Sequence, residues 1–192
     1  MKIEIEVKFA ISNEDIENLV SSIEELFQCR KAEAFLQTTH QFFYEDWTKQ
    51  DVFPRIRNEQ GGDATLTVKV KTKSATDFFE RKEFETIIAS SDEIVGMMPY
   101  LGFPKKITWE KKRCAFIKDD PSGAMEICFF LDETPMGWFL EIEAGEEKIE
   151  ETIALLKLTG SKRITKSYLG LWEDYKKERD LPALGEDMLF QR

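Results

Sequence analysis

The chain has 192 residues, 42% of them hydrophobic and 33% charged, with a net charge of −10 and a pI of about 4.8. That length suits one domain with a buried core, and the acidic balance argues against a general DNA or RNA binder, which needs a basic face. A small anion held by a local basic cluster stays compatible with it.

From the amino terminus, residues 2–10 alternate charged and apolar side chains, a strand pattern. Ser12 offers an N-cap for a helix over 13–28, with Ile16, Leu19, Val20, Ile23, Leu26 and Phe27 on one face. Residues 33–46, rich in Phe, Thr and Tyr, form a strand. Strands at 53–58 and 64–73 flank Gly61-Gly62-Asp63, a hairpin turn. Residues 79–89 alternate again, and Ser90 with Glu93 signals a capped helix over 91–101. Strands at 106–118 and 124–131 surround the turn Asp119-Asp120-Pro121-Ser122-Gly123. A strand at 137–144 ends at Gly145, and helices follow at 146–159 and 165–179. The tail 180–192 has no strong pattern. Short strands bounded by turns, with few helices, predict a barrel with helices packed outside.

Cys29, Cys114 and Cys128 show no CxxC spacing, so they read as small buried hydrophobes of a reducing compartment rather than disulfide or zinc ligands. No run of about 18 apolar residues suggests a membrane span. The opening Lys2-Ile3-Glu4-Ile5-Glu6 is not a signal peptide, and a cytoplasmic location is expected.

The charges carry the functional information. Side chains alternate between the two faces of a strand, so Glu4, Glu6 and Lys8 share one face and Ile3, Ile5, Val7 and Phe9 the other. The same division gives Arg55 with Arg57, Lys69 with Lys71, Arg81 with Glu83 and Glu85, Lys111 with Arg113, and Glu141 with Glu143. An ordinary sheet with a solvated charged face explains any one of these. It does not explain repeated like charges at neighbouring same-face positions, which repel. The better reading turns the charged faces inward and the apolar faces outward beneath the helices. Buried like charges need neutralising. The basic set (Lys8, Arg55, Arg57, Lys69, Lys71, Arg81, Lys111, Arg113) calls for a polyanion, and the acidic set (Glu4, Glu6, Glu83, Glu85, Glu141, Glu143) for divalent cations. A polyphosphate chelated by Mg²⁺ or Mn²⁺ supplies both.

On these residues the chain resembles the CYTH superfamily, the triphosphate tunnel metalloenzymes, which includes class IV adenylyl cyclases, thiamine triphosphatases and inorganic triphosphatases. Glu4-Ile5-Glu6-Val7-Lys8 matches the family's ExExK signature. Arg55-Ile56-Arg57, Thr67-Val68-Lys69, Arg81-Lys82-Glu83-Phe84-Glu85, Lys111-Lys112-Arg113, Leu131-Asp132, Glu141-Ile142-Glu143 and Lys166-Ser167-Tyr168 follow in family order. The resemblance spans residues 1–170. It implies an α+β fold built on an eight-stranded antiparallel β-barrel, a CYTH domain over 1–175 and a tail over 176–192. It implies that Glu4, Glu6, Glu141 and Glu143, with Glu83 or Glu85 and Asp132, hold Mg²⁺ or Mn²⁺. It also implies that Lys8, Arg55, Arg57, Lys69, Arg81, Arg113 and Lys166 hold the triphosphate, joined by Lys71 and Lys111 from the charge pattern, with Lys69 and Glu6 as catalytic residues. Lys112 falls on the opposite face and reads as solvated.

One departure concerns the aromatic pair Phe43-Tyr44. The tyrosine that thiamine triphosphatases pair with their lysine falls at Phe43, and alternation makes Tyr44 face the other way. His40, the single histidine, reads as structural or on the surface. Three functions remain open: a triphosphatase acting on tripolyphosphate, thiamine triphosphate or ATP; an adenylyl cyclase releasing pyrophosphate; and a non-catalytic triphosphate binder. A nucleic-acid polymer and a membrane are not expected partners, and the chain is expected to be a monomer or homodimer. At the helical end, Trp172, Tyr175, Leu181 and Phe190 pack into the core or cap the barrel or a dimer partner.

Overall fold

In the computed structural model, which describes residues 2–46, 50–71, 79–181 and 186–191, the alternation of the sequence becomes a closed barrel. In chain order the elements are β1 (Lys2–Ile11), a 3-10 turn (Asn13–Asp15), α1 (Ile16–Phe27), β2 (Arg30–Lys31), β3 (Phe35–Phe43), β4 (Val52–Glu59) and β5 (Ala64–Lys71). Then come β6 (Phe79–Ile88), α2 (Ser91–Met97), β7 (Lys105–Asp119), β8 (Met125–Thr134), β9 (Gly137–Ala144), α3 (Glu146–Leu155) and α4 (Tyr168–Glu178). Among the described residues eight strands close a ring in the order β7-β3-β4-β5-β6-β1-β9-β8, with β8 returning to β7. Every pairing is antiparallel. Closure leaves the ring without an edge to protect. The short β2 pairs with the far end of β7, Arg30 opposite Ile117, and nothing in the hydrophobic pattern announces it.

The hydrophobic core lies outside the ring. Val7, Phe9, Phe116, Ile127, Phe129, Leu131, Leu140 and Ile142 point away from the barrel axis. They are covered by Leu19, Ile23 and Phe27 of α1 and by Ile149 and Ile153 of α3. On the other side α2 covers Phe42 and Ile56 through Ile94 and Val95, with Met98 following the helix. Helices α1 and α3 thus cover the apolar faces of β7, β8, β9 and part of β1, and α2 those of β3 and β4, with the charged faces turned inward, while Ile3 and Phe84 on the outer face of β1 and β6 stay exposed.

The helices are shorter than the periodicity suggests. Ser12 Oγ donates to Asp15 Oδ2 at 2.6 Å instead of accepting from the helix, so a 3-10 turn precedes α1. Ser90 does cap α2, accepting from the Glu93 N–H at 3.3 Å. Gly61 (φ 77°) and Gly123 (φ 84°) adopt the left-handed conformation their hairpins require. In the second of these, Asp120 Oδ1 accepts from the N–H groups of Ser122 and Ala124. Positions 72–73 of the expected strand 64–73 lie outside the described residues.

Tail residues 186–190 run along the half of β7 that β8 leaves unpaired. Met188 N–H donates to Thr108 O at 3.0 Å, and Glu110 N–H donates to Met188 O at 2.8 Å. Asp187 accepts from the Thr108 N–H at 2.7 Å. Trp109, Phe139, Tyr168, Trp172 and Met188 form a separate apolar cluster where α4 meets the barrel. Trp172 is buried in this cluster with Met188 of the tail, Tyr175 packs against it half-buried, and Leu189 beside Met188 is exposed.

Candidate functional site

The inward face of β1 and β9 is acidic. In register, Lys8 lies opposite Glu141 and Glu6 opposite Glu143. Glu4, Glu6, Lys8, Glu141 and Glu143 are all buried. Lys8 Nζ sits 2.7 Å from Glu141 Oε1 and 3.3 Å from Glu6 Oε1. Burial disfavours charge on each. For Glu141 burial is outweighed by Lys8, Arg113 and Lys111, which hold its carboxyl well below the ordinary range. For Glu6 burial wins, opposed by Lys8 and reinforced by Glu141 and Glu4, and its carboxyl is pushed up to about 7.

β4, β5 and β6 carry a mixed set. Lys69 Nζ bridges Glu4 Oε2 at 2.5 Å and Glu83 Oε1 at 2.7 Å. Arg55 reaches the same Glu83 oxygen at 3.5 Å. Burial would raise Glu4, but Lys69 and Arg55 outweigh it and hold the group below its ordinary range. Arg81 lies opposite Glu4 on β1 and Lys71 on β5, and donates to the Glu80 carbonyl at 2.7 Å.

On β7 and β8 one carboxylate organises the cations. Asp132, with no exposed surface, accepts from Arg113 Nε at 2.7 Å, Arg113 Nη2 at 2.6 Å, Lys111 Nζ at 2.9 Å and the Tyr168 hydroxyl at 2.7 Å. Arg113 also contacts Glu141 and lies 3.8 Å over the Phe130 ring. Lys111 Nζ meets Asp132 at 2.9 Å and Glu141 at 4.0 Å, yet neither outweighs its burial beside Arg113. Burial and Arg113 press its ammonium down to about 7.

A third feature runs across β3, β4 and β5. Thr39, Arg57 and Thr65 are consecutive partners in register. Thr39 Oγ1, Arg57 Nε and Thr65 Oγ1 are buried without a hydrogen-bond partner, as are Arg55 Nε and Gln37 Oε1 on the same faces. Burial, with Arg55 and Arg113 nearby, lowers the Arg57 guanidinium to about 9. Native interiors rarely leave polar groups unpaired, and four of these five, all but Gln37 Oε1, can donate to the oxygens of an anion.

Most of the expected residues converge here: Glu4, Glu6, Lys8, Arg55, Arg57, Lys69, Arg81, Glu83, Lys111, Arg113, Asp132, Glu141 and Glu143. Glu85 is more exposed, and its carboxylate accepts from the buried Thr67 at 2.8 Å. Lys71 is exposed, donating to the Gln50 carbonyl at 2.8 Å and lying 3.7 Å from Asp51. Lys166 is not brought to the interior: it precedes α4 on the surface and pairs with Asp174. Lys112 faces out, bonded to Glu133 at 3.0 Å. Phe43 shares the inward parity of Gln37, Thr39 and Gln41, whereas Tyr44 stacks on Phe103 outside, centroids 4.7 Å apart. His40, on the outer parity of β3, bonds Thr108 Oγ1 at 3.1 Å. Among the described residues Cys29, Cys114 and Cys128 form no disulfide.

Sequence reasoning assigned no site role to Gln37, Thr39, Thr65 and Tyr168. The first two share β3's inward parity with Phe43, and Thr65 shares that of Lys69; their lack of charge hid them. Tyr168 adjoins Lys166 in the quoted motif, where the lysine drew the attention.

The oxygen-only acidic set fits a hard divalent cation, and burial of Glu6 beside Glu4 and Glu141, only partly offset by Lys8, points the same way. Among the described residues no three of these carboxylates stand close enough together to enclose a metal ion, since Glu4, Glu83 and Glu141 are turned toward Lys or Arg. A cavity of about 160 Å³ between α1 and the outer wall, lined by Val20, Cys114, Phe116, Leu131 and Trp138, is apolar and separate from these charges.

Fold and site together define a closed antiparallel barrel whose interior is lined with paired acids and bases. The sequence profile of the CYTH domain matches residues 2–167, and the chain belongs to that family. The fold is similar to that of a Pyrococcus horikoshii OT3 protein, at 22% identity and a TM-score of 0.65 over 89% of this chain and 98% of that one. It is also similar to a candidate adenylate cyclase from Vibrio parahaemolyticus (19% identity, TM-score 0.65, 90% and 98% coverage). A third likeness is to HpAC1 from Hippeastrum, a candidate adenylyl cyclase described as having a dominant triphosphatase activity (15% identity, TM-score 0.58, 91% and 96% coverage). No curated protein matches the chain. Among the described residues no helix is long and apolar enough to cross a membrane.

Proposed function

We propose that the barrel interior binds a triphosphate as its divalent-metal complex and hydrolyses the terminal phosphoanhydride. The observation that carries this reading is the Thr39–Arg57–Thr65 wall, whose buried donors lack acceptors. A polyanion supplies acceptors there and neutralises Arg57, Arg55 and Lys111 together. Arg55 and Arg57 grip phosphoryl oxygens through their forks, and Arg113, held by Asp132, adds positive charge with Lys8, Lys69, Lys111 and Arg81. Lys69 exchanges Glu4 and Glu83 for the ligand.

Glu4, Glu6, Glu141 and Glu143, with Glu83 alongside, are the residues that would hold Mg²⁺ or Mn²⁺. When bound, the cation neutralises charge developing on the phosphoryl oxygens. Glu6 orients the attacking water and accepts its proton. The water oxygen bonds to the terminal phosphorus as the bridging P–O bond breaks, so that the bridging oxygen leaves with the diphosphate part of the substrate and the terminal phosphoryl group is released as orthophosphate. The fixed cations stabilise the charge spreading over the equatorial oxygens in that transition state. Asp132, saturated by four donors from Arg113, Lys111 and Tyr168, serves the cations rather than the metal.

The test is incubation with tripolyphosphate, thiamine triphosphate and ATP, each with Mg²⁺ or Mn²⁺, and ³¹P NMR of the products. Orthophosphate without cyclic AMP is expected. Cyclic AMP and pyrophosphate from ATP would show a cyclase instead, and tight binding without turnover would show a triphosphate-binding module.

A further inference from the structure

We infer that Tyr168, at the start of α4, is a positioning residue that presets three phosphate-binding cations, Lys8, Lys111 and Arg113, through the two faces of its chemistry. The inference rests on the triphosphate reading above and assigns the control of that site to the carboxy-terminal helix.

Tyr168 is 6% exposed. Its hydroxyl donates to Asp132 Oδ2 at 2.7 Å, the same oxygen that accepts from Lys111 Nζ at 2.9 Å and Arg113 Nη2 at 2.6 Å. Asp132 has no other exposed route to satisfaction, so the hydroxyl fixes the carboxylate and the carboxylate fixes the Arg113 fork. The ring acts separately. Lys8 Nζ lies 4.8 Å from its centroid and Lys111 Nζ 5.1 Å, both within cation–π range. Lys8 comes from β1 and Lys111 from β7, so one ring spans two walls of the barrel.

The residue is itself held firmly. The ring meets Phe139 edge-on at 5.4 Å and Trp109 at 5.9 Å. Ser167 caps α4, accepting from the Gly170 N–H at 3.2 Å. Just before the helix, Ile164 N–H donates to Lys8 O at 2.9 Å, which anchors the same lysine through its backbone. In the Lys166-Ser167-Tyr168 element it is therefore the tyrosine that reaches the interior, while Lys166 stays outside with Asp174. Holding long cationic side chains before the ligand arrives lowers the ordering cost of binding.

The experiment compares wild type, Tyr168→Phe, Tyr168→Leu and Trp172→Phe, the last a change in the same aromatic cluster that touches none of the interior charges. Tripolyphosphate binding is measured by calorimetry, turnover as kcat and KM, and folding as Tm. Loss of the hydroxyl in Tyr168→Phe is expected to weaken binding about tenfold, as for a hydrogen bond to a charged group. KM should rise more than kcat falls. Tyr168→Leu should weaken binding further, and Trp172→Phe should lower Tm without moving KM. Equal binding by wild type and Tyr168→Phe would overturn the role of the hydroxyl, and equal binding by the Phe and Leu variants that of the ring. If Trp172→Phe weakens binding as much as Tyr168→Phe, the effect is packing alone and the inference falls. Absence of tripolyphosphate binding and turnover in the wild type would instead remove the functional reading beneath it.

Discussion

Arg113 and Asp132 face each other across β7 and β8 with two parallel hydrogen bonds, Nε to Oδ1 at 2.7 Å and Nη2 to Oδ2 at 2.6 Å, and neither side chain reaches appreciably to solvent. Removing one partner of such a buried pair leaves the other charge stranded, at a cost of about 3–5 kcal/mol. Asp132→Ala strands Arg113 and Lys111 together. It is expected to lower stability by that amount in urea denaturation. Glu133→Ala, one residue along, breaks only the half-solvated pair with Lys112. That change is expected to cost under about 1 kcal/mol.

Arg57 behaves in the opposite way. Its buried Nε has no partner, and its guanidinium is lowered to about 9 by burial and by Arg55 and Arg113. Arg57→Met keeps the bulk and deletes a charge that burial, Arg55 and Arg113 disfavour more than Glu85 and Glu59 support it. The apo Tm is expected to hold or rise. Tripolyphosphate binding is expected to weaken about tenfold to a hundredfold through loss of a charge-assisted contact. A lower apo Tm with unchanged binding would mean that Arg57 serves the fold.

Glu6 gives a pH dependence of definite sign. Its folded carboxyl is raised from 4.5 to about 7, chiefly by burial, so the folded protein holds that proton more tightly than the unfolded chain does. The resulting stabilisation is complete below about pH 4.5 and fades as pH rises through 7, by up to about 3 kcal/mol. The metal-free protein is therefore expected to lose stability as pH rises from about 4.5 to 7, and Glu6→Gln to flatten that slope. Mg²⁺ or Mn²⁺ should stabilise the wild type more at pH 8 than at pH 6, because the cation competes with the proton. An unchanged slope in Glu6→Gln would place the titration elsewhere.

The sequence revealed the barrel because its physics is periodic. Strand alternation put Glu4, Glu6 and Lys8 on one face, and the like-charge pairs at Arg55–Arg57 and Glu141–Glu143 made an outward placement unfavourable. Three things escaped it. Gln37, Thr39 and Thr65 carry no charge, so their importance appears only when their neighbours across the ladder are known. Lys166 looked like one more cation, but its direction is set by the cap of α4, which turns it toward Asp174 and sends Tyr168 inward. The tail pairs along β7 through backbone groups at Met188 and Glu110, and backbone hydrogen bonds leave no trace in side-chain pattern.

The inverted core makes a final prediction that separates this barrel from one filled with apolar side chains. Phe129 points outward from β8, fully buried, with its ring 4.8 Å from Phe27 of α1 and its backbone opposite Ile142. Lys111 points inward and is equally buried, yet burial and Arg113 press its ammonium down to about 7. Phe129→Ala opens a cavity between helix and barrel and is expected to cost about 3–5 kcal/mol. Lys111→Met fills the same space without a charge, and Asp132 keeps Arg113 and Tyr168. It is therefore expected to change stability by about 1 kcal/mol at most, or to raise it. Urea denaturation of both variants checks the contrast: a large loss at 111 with a small one at 129 would place the stabilising core inside the ring.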